Sequence, residues 1–453
     1  MSASQRPRRG VHAGRAQRVV EEATEKVEIV SIAAGGNGVG RINGMACFVP
    51  RTAPGDRVQV ALRRRGRFAT GRLLQVLEPS TTRVAPQCVH YTKDRCGGCQ
   101  LQHMEGDAQR AARATIVKDA LQRIGSRDVK TPQVVAGPSD WEYRRRITLT
   151  LQQRGNRWVG GLHPWDDAAR VFDLHVCPIT RPELVRVWNA SRSHLHLLPD
   201  IASLRLALRL LDDGQVAVVV IGARSWPQSP AFGDALLDAD AGVREVWWEN
   251  ESGKVEQVVS RQNTMVDSNS VSGDPPADDD SLAFVQVNSA VASILRRHVV
   301  DRIFAFAPLH VLDAYAGSGL LTEQIARAGV AVTSVEMDRH AVARAQQRTR
   351  GLANVFIRRG GVETLVPEAL ASRPDVVVVN PPRRGLEPGL EQHLNDAFKQ
   401  GVRAIVYISC DPATLSRDTA ALTQWRISDL KCFDMFPQTA HVETVCVLEP
   451  ENR

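Results

Sequence analysis

The chain has 453 residues, 43% hydrophobic and 24% charged, which is enough apolar material for roughly three domains of about 150 residues and excludes wholesale disorder. Its 57 Lys and Arg against 50 Asp and Glu give a net charge of +7, which permits a polyanionic partner without demanding one. Eight cysteines are too few for a disulfide scaffold of this length, and no run reaches the ~18 apolar residues of a membrane span.

Residues 1–23 are basic and low in apolar content, so a disordered tail is expected there. They lack the apolar stretch of a secretory signal, although mitochondrial transit peptides share an Arg-rich, acid-free composition. A reducing, cytoplasmic compartment is the default expectation. There, grouped cysteines point to metal binding or catalysis before disulfides. Over residues 24–84, the segments VEIVSI, ACFVP, DRVQVAL and ATGRLLQVL alternate with GGNGVG, APGD and RRRGR, which predicts a small β-barrel. Gly35–Gly40 imitates a dinucleotide fingerprint, but RINGMACFVP follows it. That is a strand and not a helix, so a barrel turn is predicted.

Residues 85–280 open with cysteines and basic side chains up to Cys177 and continue as mixed α/β, with RLALRLL, QVAVVVIGA and VREVWWEN as strands. Residues 252–281 are polar, carry the acidic run Asp278–Asp280, and read as a loop or domain boundary. Residues 281–453 alternate strands (VLDAY, AVTSVE, VFIRR, DVVVVN, AIVYISC) with helices (TEQIARAG, RHAVARAQQRTR, GLEQHLNDAFKQG). This predicts a parallel sheet with helices on both faces. DLKCFDMF and ETVCVLE should close it as an antiparallel pair joined by PQTAHV.

The chemistry-bearing residues fall at predicted strand ends. VLDAYAGSG (Val311–Gly319) is a strand running into a glycine turn and a helix, and Glu336 ends the next strand, where an acidic residue commonly holds ribose hydroxyls. No Lys-Ser/Thr follows, so this is not a P-loop, and D-x3-G-x-G resembles S-adenosylmethionine (SAM) methyltransferases more than NAD enzymes. Asn380-Pro381-Pro382-Arg383 ends a buried-type strand, with Arg383 and Arg384 suited to phosphate. Cys410 ends the next strand beside a polar turn whose amides are expected to lower its pKa, whereas Cys47, Cys432 and Cys446 read as core residues. His441 and Glu443 are expected near the same edge. A thiolate, a carboxylate and a methyl donor together permit one demanding reaction. The thiolate adds to C6 of uracil, C5 then attacks the methyl group, and a base removes the C5 proton.

Taken in order, FVQVN (Phe284–Asn288), DAYAGSG, VNPPRRG, ISCDPATLSRD and FDMFPQTAHVE resemble the RNA (uracil-C5)-methyltransferase family over nearly the whole chain. The resemblance implies Cys410 as nucleophile and Glu443 as proton acceptor, with Gln286, Tyr315, Glu336 and Asn380 contacting SAM. It implies a fold of three parts: an N-terminal OB-like TRAM β-barrel, a mixed α/β central domain, and a C-terminal class I, Rossmann-like methyltransferase domain. Leu320 and Gly360-Gly361 stand where many members carry polar SAM-contacting residues, and Asn380 stands where many carry Asp.

Cys88, Cys96 and Cys99 lie in one turn-rich loop, with Cys177 as a plausible fourth thiol. Four thiolates suit either Zn²⁺ or an iron–sulfur cluster, and the spacing does not choose. The family resemblance implies a [4Fe-4S] cluster on these four positions, although seven residues separate Cys88 from Cys96 where the family usually has five. Arg63, Arg64, Arg65 and Arg67 form one expected RNA patch, and Arg144, Arg145 and Arg146 beside Trp141 and Tyr143 another. The expectation is a monomeric, SAM-dependent RNA uracil-C5 methyltransferase acting on 23S rRNA. A tRNA T-loop uracil, cytosine-C5 or adenine-amino methylation, and a non-catalytic iron–sulfur RNA-binding protein are the alternatives.

Overall fold

The computed structural model describes residues 23–261 and 286–451. The expected basic tail (apart from Ala23), the acidic run Asp278–Asp280 and Phe284 lie outside the described residues.

Five strands open the chain: β1 (Ala23–Ile32), β2 (Asn37–Ile42), β3 (Met45–Pro50), β4 (Arg57–Arg65) and β5 (Phe68–Glu78). They close as a barrel in the order β1-β2-β3-β5-β4, with Val27, Ile29, Val49, Val58 and Val60 packed inside. The glycine-rich stretch is not wholly a turn, as expected, because β2 begins inside it. Gly38 and Gly40 are there for close approach. A Cβ would lie 2.0 Å from Thr52 Oγ1 at Gly38, and 2.4 Å from the Glu28 carbonyl at Gly40.

The chain then forms α1 (Val89–Thr92), α2 (Gly106–Arg123) and β6 (Gln133–Val135), followed by β7 (Arg146–Arg154), β8 (Arg157–Gly161), α3 (Pro182–Ser191), β9 (Ser203–Leu210), β10 (Val216–Ile221), α4 (Ser229–Ala239), β11 (Val243–Glu249) and β12 (Val255–Ser260). A six-stranded sheet runs β12-β11-β10-β9-β7-β8. Trp188 of α3 and Phe232 of α4 pack on Leu149, Leu206 and Val218 of one face. The expected loop over 252–281 is therefore corrected at its start. Val255–Ser260 is an edge strand paired with β11, too short and polar to announce itself in the sequence.

The last section comprises α5 (Ser289–Phe304), β13 (His310–Ala314), α6 (Leu320–Arg327), β14 (Ala331–Glu336), α7 (Arg339–Arg348), β15 (Val355–Arg359), α8 (Val362–Leu370), β16 (Val376–Val379), α9 (Leu390–Asp396), β17 (Ala404–Ser409), α10 (Pro412–Ala421), β18 (Trp425–Phe433) and β19 (Glu443–Pro450). Its sheet runs β15-β14-β13-β16-β17-β19-β18-β6. β19 is antiparallel to both neighbours, while β13 to β17 are parallel. Apolar cores lie on both faces, and the strand order reverses between β13 and β16, where such sheets open a ligand crevice. The eighth strand, β6, comes from far upstream and pairs with β18. Val117 and Leu121 of α2 enter this core as well, so the cysteine-bearing segment is built onto the C-terminal sheet. Among the described residues no helix is long and apolar enough to cross a membrane.

Candidate active site and cysteine quartet

Ala314, Val335, Val379 and Tyr407 stand level across four parallel strands, so the residues just after them share one edge of the sheet. After β13 the backbone turns through left-handed residues, with Tyr315 at φ 61°, Gly317 at 57° and Gly319 at 75°. A Cβ on Gly319 would sit 2.8 Å from that of Ala345, so only glycine lets α6 approach α7 here. Asp313 is fully enclosed, accepts a 2.6 Å bond from Thr322 Oγ1, and is pushed up to about 6 by burial. Glu336 reaches back to the turn, where its carboxylate accepts from the Gly317 N–H at 2.9 Å and from Met337 and Asp338 at 2.8 Å.

Asn380 is exposed at the end of β16, with its N–H 3.4 Å from the Ala314 carbonyl. The loop after it folds over Tyr315, whose hydroxyl accepts from the Glu387 N–H at 3.3 Å. Gln286 is half-buried just ahead of Asn288, which caps α5 through Val291 N–H at 3.2 Å. The Nδ2 of Asn288 is buried without a partner among the described residues. The sequence shows Asn288 only as the end of FVQVN, with no role of its own, although Asn before Ser-Ala-Val is a recognisable helix start.

Cys410 follows β17 and Glu443 opens β19. The antiparallel register pairs Ser409 with Thr444, so one step further Cys410 stands opposite Glu443. Burial raises the Cys410 thiol, and the charge of Glu443 raises it further; Arg383 and the residue's own amide pull the other way. The expected lowering by the turn is thereby corrected. The N-terminus of α10 is taken by Asp411, whose carboxylate accepts from Thr414 N–H at 2.8 Å. Glu443 is almost wholly enclosed and is pushed up to about 7 by burial, with Arg383 opposing. The His441 imidazole is held down by partial burial and then by Arg383 and Arg144.

The sequence suits Arg383 to phosphate, yet it faces the thiol, the carboxylate and the imidazole. The loop carrying it is clamped to α10. Thr414 Oγ1 donates to the Arg383 carbonyl at 2.9 Å, Arg417 to that of Arg384 at 2.6 Å, and the Leu386 N–H to Asp418 at 2.8 Å. Arg384 turns away to pair with Glu387.

The triple-Arg patch also divides. Arg144 lies near both Cys99 and His441, Arg145 bonds the Leu211 carbonyl at 2.9 Å and Asp212 at 2.9 Å, and Arg146 is half-buried beside Arg205. Only Arg146 lies in β7, while Arg144 bridges to Thr180 ahead of it, so a run that looks continuous in sequence meets different surroundings. Trp141 and Tyr143 do not form a stacking platform. Both pack in the cluster that holds Cys88, Cys99 and Cys177, and the Tyr143 hydroxyl donates to the Pro437 carbonyl at 2.9 Å.

Cys88, Cys96, Cys99 and Cys177 meet in one region between barrel, central sheet and catalytic loop. Burial raises Cys88 and pushes Cys96 and Cys99 up to about 12, and the charge of Cys177 acts on all three. Arg51, after β3, stacks 3.7 Å over the Tyr91 ring and donates to the Cys96 carbonyl at 3.0 Å. Thr180 Oγ1 donates to Cys177 Sγ at 3.2 Å and the Gly98 N–H to Cys96 Sγ at 3.4 Å. Among the described residues no three His, Cys, Asp or Glu side chains are arranged to hold a metal ion. Three buried thiols and the half-buried Cys177, with an N–H and an O–H aimed at two of the sulfurs, are the donor chemistry that a group needing thiolate ligands takes. The remaining cysteines, Cys47, Cys432 and Cys446, are fully buried in cores.

The profile of the tRNA (uracil-5-)-methyltransferase family matches residues 369–451, which hold Asn380, Cys410 and Glu443. An RNA methyltransferase of Clostridium tetani is 30% identical, across 95% of this chain and 97% of its own. One of Halalkalibacterium halodurans is 30% identical, across 94% and 97%. Among solved structures, the Pyrococcus abyssi tRNA (uracil-54, C5)-methyltransferase in complex with S-adenosyl-L-homocysteine superposes with a TM-score of 0.64 at 24% identity. The match covers 93% of this chain and all of that one, and at this identity it shows a shared fold.

Proposed function

The chain belongs to the RNA (uracil-5-)-methyltransferase family, and from that premise we propose that it methylates a uracil of 23S rRNA through a covalent adduct on Cys410. The observation that carries the mechanism is the opposition of Cys410 and Glu443 across the β17–β19 ladder, with Arg383 facing both.

SAM supplies the methyl group. Tyr315, Glu336, Asn380 and Gln286 border the crevice beside the β13 turn and are assigned to hold it there. The Glu336 carboxylate exchanges backbone amides for ribose hydroxyls. Cys410 is the nucleophile. Its thiolate bonds to C6, and the C5=C6 pair moves to C5 as an enolate. C5 then bonds to the methyl carbon as the sulfonium–methyl bond breaks. Glu443 accepts the C5 proton, the C5–H pair restores C5=C6, and Cys410 leaves as thiolate.

Arg383 serves this sequence by favouring the thiolate. Glu443, pushed up to about 7, is well matched to accepting a proton near neutral pH. The target base must leave its stack to reach Cys410, and exposed Arg63, Arg64, Arg65 and Arg67 on the barrel are assigned to the phosphates of its strand. The quartet Cys88, Cys96, Cys99 and Cys177 is assigned a [4Fe-4S] cluster with a structural role.

The test is methyl transfer from labelled SAM to total RNA taken from a strain lacking the enzyme. Label in 23S rRNA, as 5-methyluridine, supports the reading. Label confined to tRNA overturns the rRNA assignment in favour of a T-loop uracil. Turnover retained by Cys410→Ala overturns the mechanism.

A further inference from the structure

The loop between β18 and β19 is held through its carbonyls by residues 294 to 338 positions upstream. Tyr143 donates to the Pro437 carbonyl at 2.9 Å, and the N–H groups of Gln100 and Leu101 donate to that of Gln438 at 3.1 and 3.0 Å. Arg113, wholly buried, donates to the Thr439 carbonyl at 2.7 Å and to Asp434 at 2.5 Å. At the centre is a reciprocal amide pair. Gln109 Oε1 accepts from the Gln438 N–H at 2.9 Å, while Gln109 Nε2 donates to Gln438 Oε1 at 2.9 Å and to the Met104 carbonyl at 2.8 Å. Both side chains are buried, Gln109 at 2% and Gln438 at 3% exposure.

Gln438 is left-handed, with φ 70°. That conformation costs a non-glycine residue free energy, so a buried one is kept in it by the contacts around it. Every polar atom of the Gln109 amide head that can impose it is engaged, on a helix α2 whose neighbouring buried positions are Ala112, Arg113 and Ile116. Five residues after Gln438 the chain enters β19 at Glu443. The turn at Gln438 therefore helps fix the height at which that carboxylate meets Cys410.

We propose that Gln109 is a positioning residue for the proton-accepting carboxylate. It holds Gln438 left-handed and so sets Glu443 opposite Cys410. This rests on the reading of Glu443 as the base. Through Gln100 and Leu101 it also ties the base to the loop that carries Cys99.

The test uses the full chain with substrate RNA. Gln109→Met keeps the side-chain length and removes the amide. Adduct formation by Cys410 and SAM binding should stay near wild type, while adduct release slows roughly ten- to a hundredfold, so that the covalent RNA–protein species accumulates on a denaturing gel. Adding Gln438→Gly should recover most of the release rate, because glycine takes a left-handed φ unaided. A cavity or a folding defect would not be rescued that way. Wild-type release in Gln109→Met overturns the proposal, and so does a slow double variant. If Gln109→Met does not fold, the double variant alone decides, since it should both fold and turn over. Glu443→Gln is run beside them. If it traps no adduct, the reading of Glu443 fails; if it does and Gln109→Met behaves as wild type, only the positioning role fails.

Discussion

Cys410 and Glu443 face each other across the antiparallel ladder of β17 and β19, one step beyond the Ser409–Thr444 pair. A nucleophile and a base on adjacent paired strands are held at a nearly fixed separation by the backbone, which is how a rigid scaffold keeps two reacting groups in register with one base. The two groups should therefore fail differently. Cys410→Ala should bind SAM and form no product. Glu443→Gln should form the adduct and not resolve it, giving a shifted band of RNA linked to protein under denaturing conditions. Loss of both band and turnover in Glu443→Gln would place the carboxylate before the first bond instead of after it.

Glu443 also ties activity and stability to pH. Its folded pKa, about 7, lies above the ordinary 4.5, so the folded state holds this proton more tightly than the unfolded chain does. The favourable contribution is complete below about 4.5 and is lost as pH rises through about 7. Replacing Glu443 by Gln removes that loss and should stabilise the protein at pH 8 by up to about 3 kcal/mol, with the gap closing towards pH 4.5. Denaturant unfolding of both proteins at pH 5 and pH 8 measures it. A gap that widens at low pH would reverse the sign and the argument. Catalysis runs the other way, since the base must be ionised, so adduct release should slow as pH falls below about 7.

Arg383 is the cation common to Cys410, Glu443 and His441. Arg383→Gln should raise the Cys410 thiol further, and alkylation of Cys410 by iodoacetamide should then need higher pH, its midpoint moving up from the wild-type one. An unchanged alkylation profile would assign Arg383 to RNA alone.

Much of this site was legible in the sequence because its residues end strands, and strands with alternating helices leave strong local patterns. DVVVVN and AIVYISC place Asn380 and Cys410 at one edge before any coordinates are needed. What was not legible depends on pairing at long range. β6 is three residues long and joins the sheet only through β18, while β12 is a polar edge strand. The Arg144–Arg146 run reads as one patch, but Arg146 enters β7 while Arg144 bridges to Thr180 and Arg145 pairs with Asp212. Gln438, left-handed without being glycine, carries no local signal, and the amide that pairs with it, Gln109, lies 329 positions away.

On the proposed reading, the quartet acts on folding more than on chemistry. Cys99 is one residue from Gln100, whose N–H and side chain reach Gln438 and Ala440, and Gly36 of the barrel would strike Gln100 and Ala440 if it carried a Cβ. Barrel, cysteine loop and catalytic loop thus converge on Gln100. Cys99→Ser should lower soluble yield and RNA affinity together and reduce iron and labile sulfide from about four each per chain. A Cys99→Ser protein that is stable, iron-free and binds RNA at full strength would sink the structural role.

The barrel offers the clearest test of how RNA is held. Arg63, Arg64 and Arg65 are exposed at the end of β4, Arg67 is exposed in the turn after it, and none of the four makes an ion pair among the described residues. Phe68 is 42% exposed next to them and sits edge-on to Phe48 at 5.7 Å. Guanidiniums free of carboxylates beside an aromatic ring suit a single strand, with phosphates at the cations and a base on the ring. Removing one phosphate-binding cation should flatten the dependence of log affinity on log salt by about 0.7. Replacing all four arginines with Ala should therefore flatten the slope by up to about 3 and weaken binding most at low salt, while maximal turnover at saturating RNA stays close to wild type. Phe68→Ala should weaken binding without changing the slope, because stacking releases no counterions. Fluorescence anisotropy with a labelled rRNA fragment at several salt concentrations separates the two effects. An unchanged slope in the quadruple variant would move the phosphate-binding groups off the barrel and onto the pocket side, where Arg144 lies beside His441.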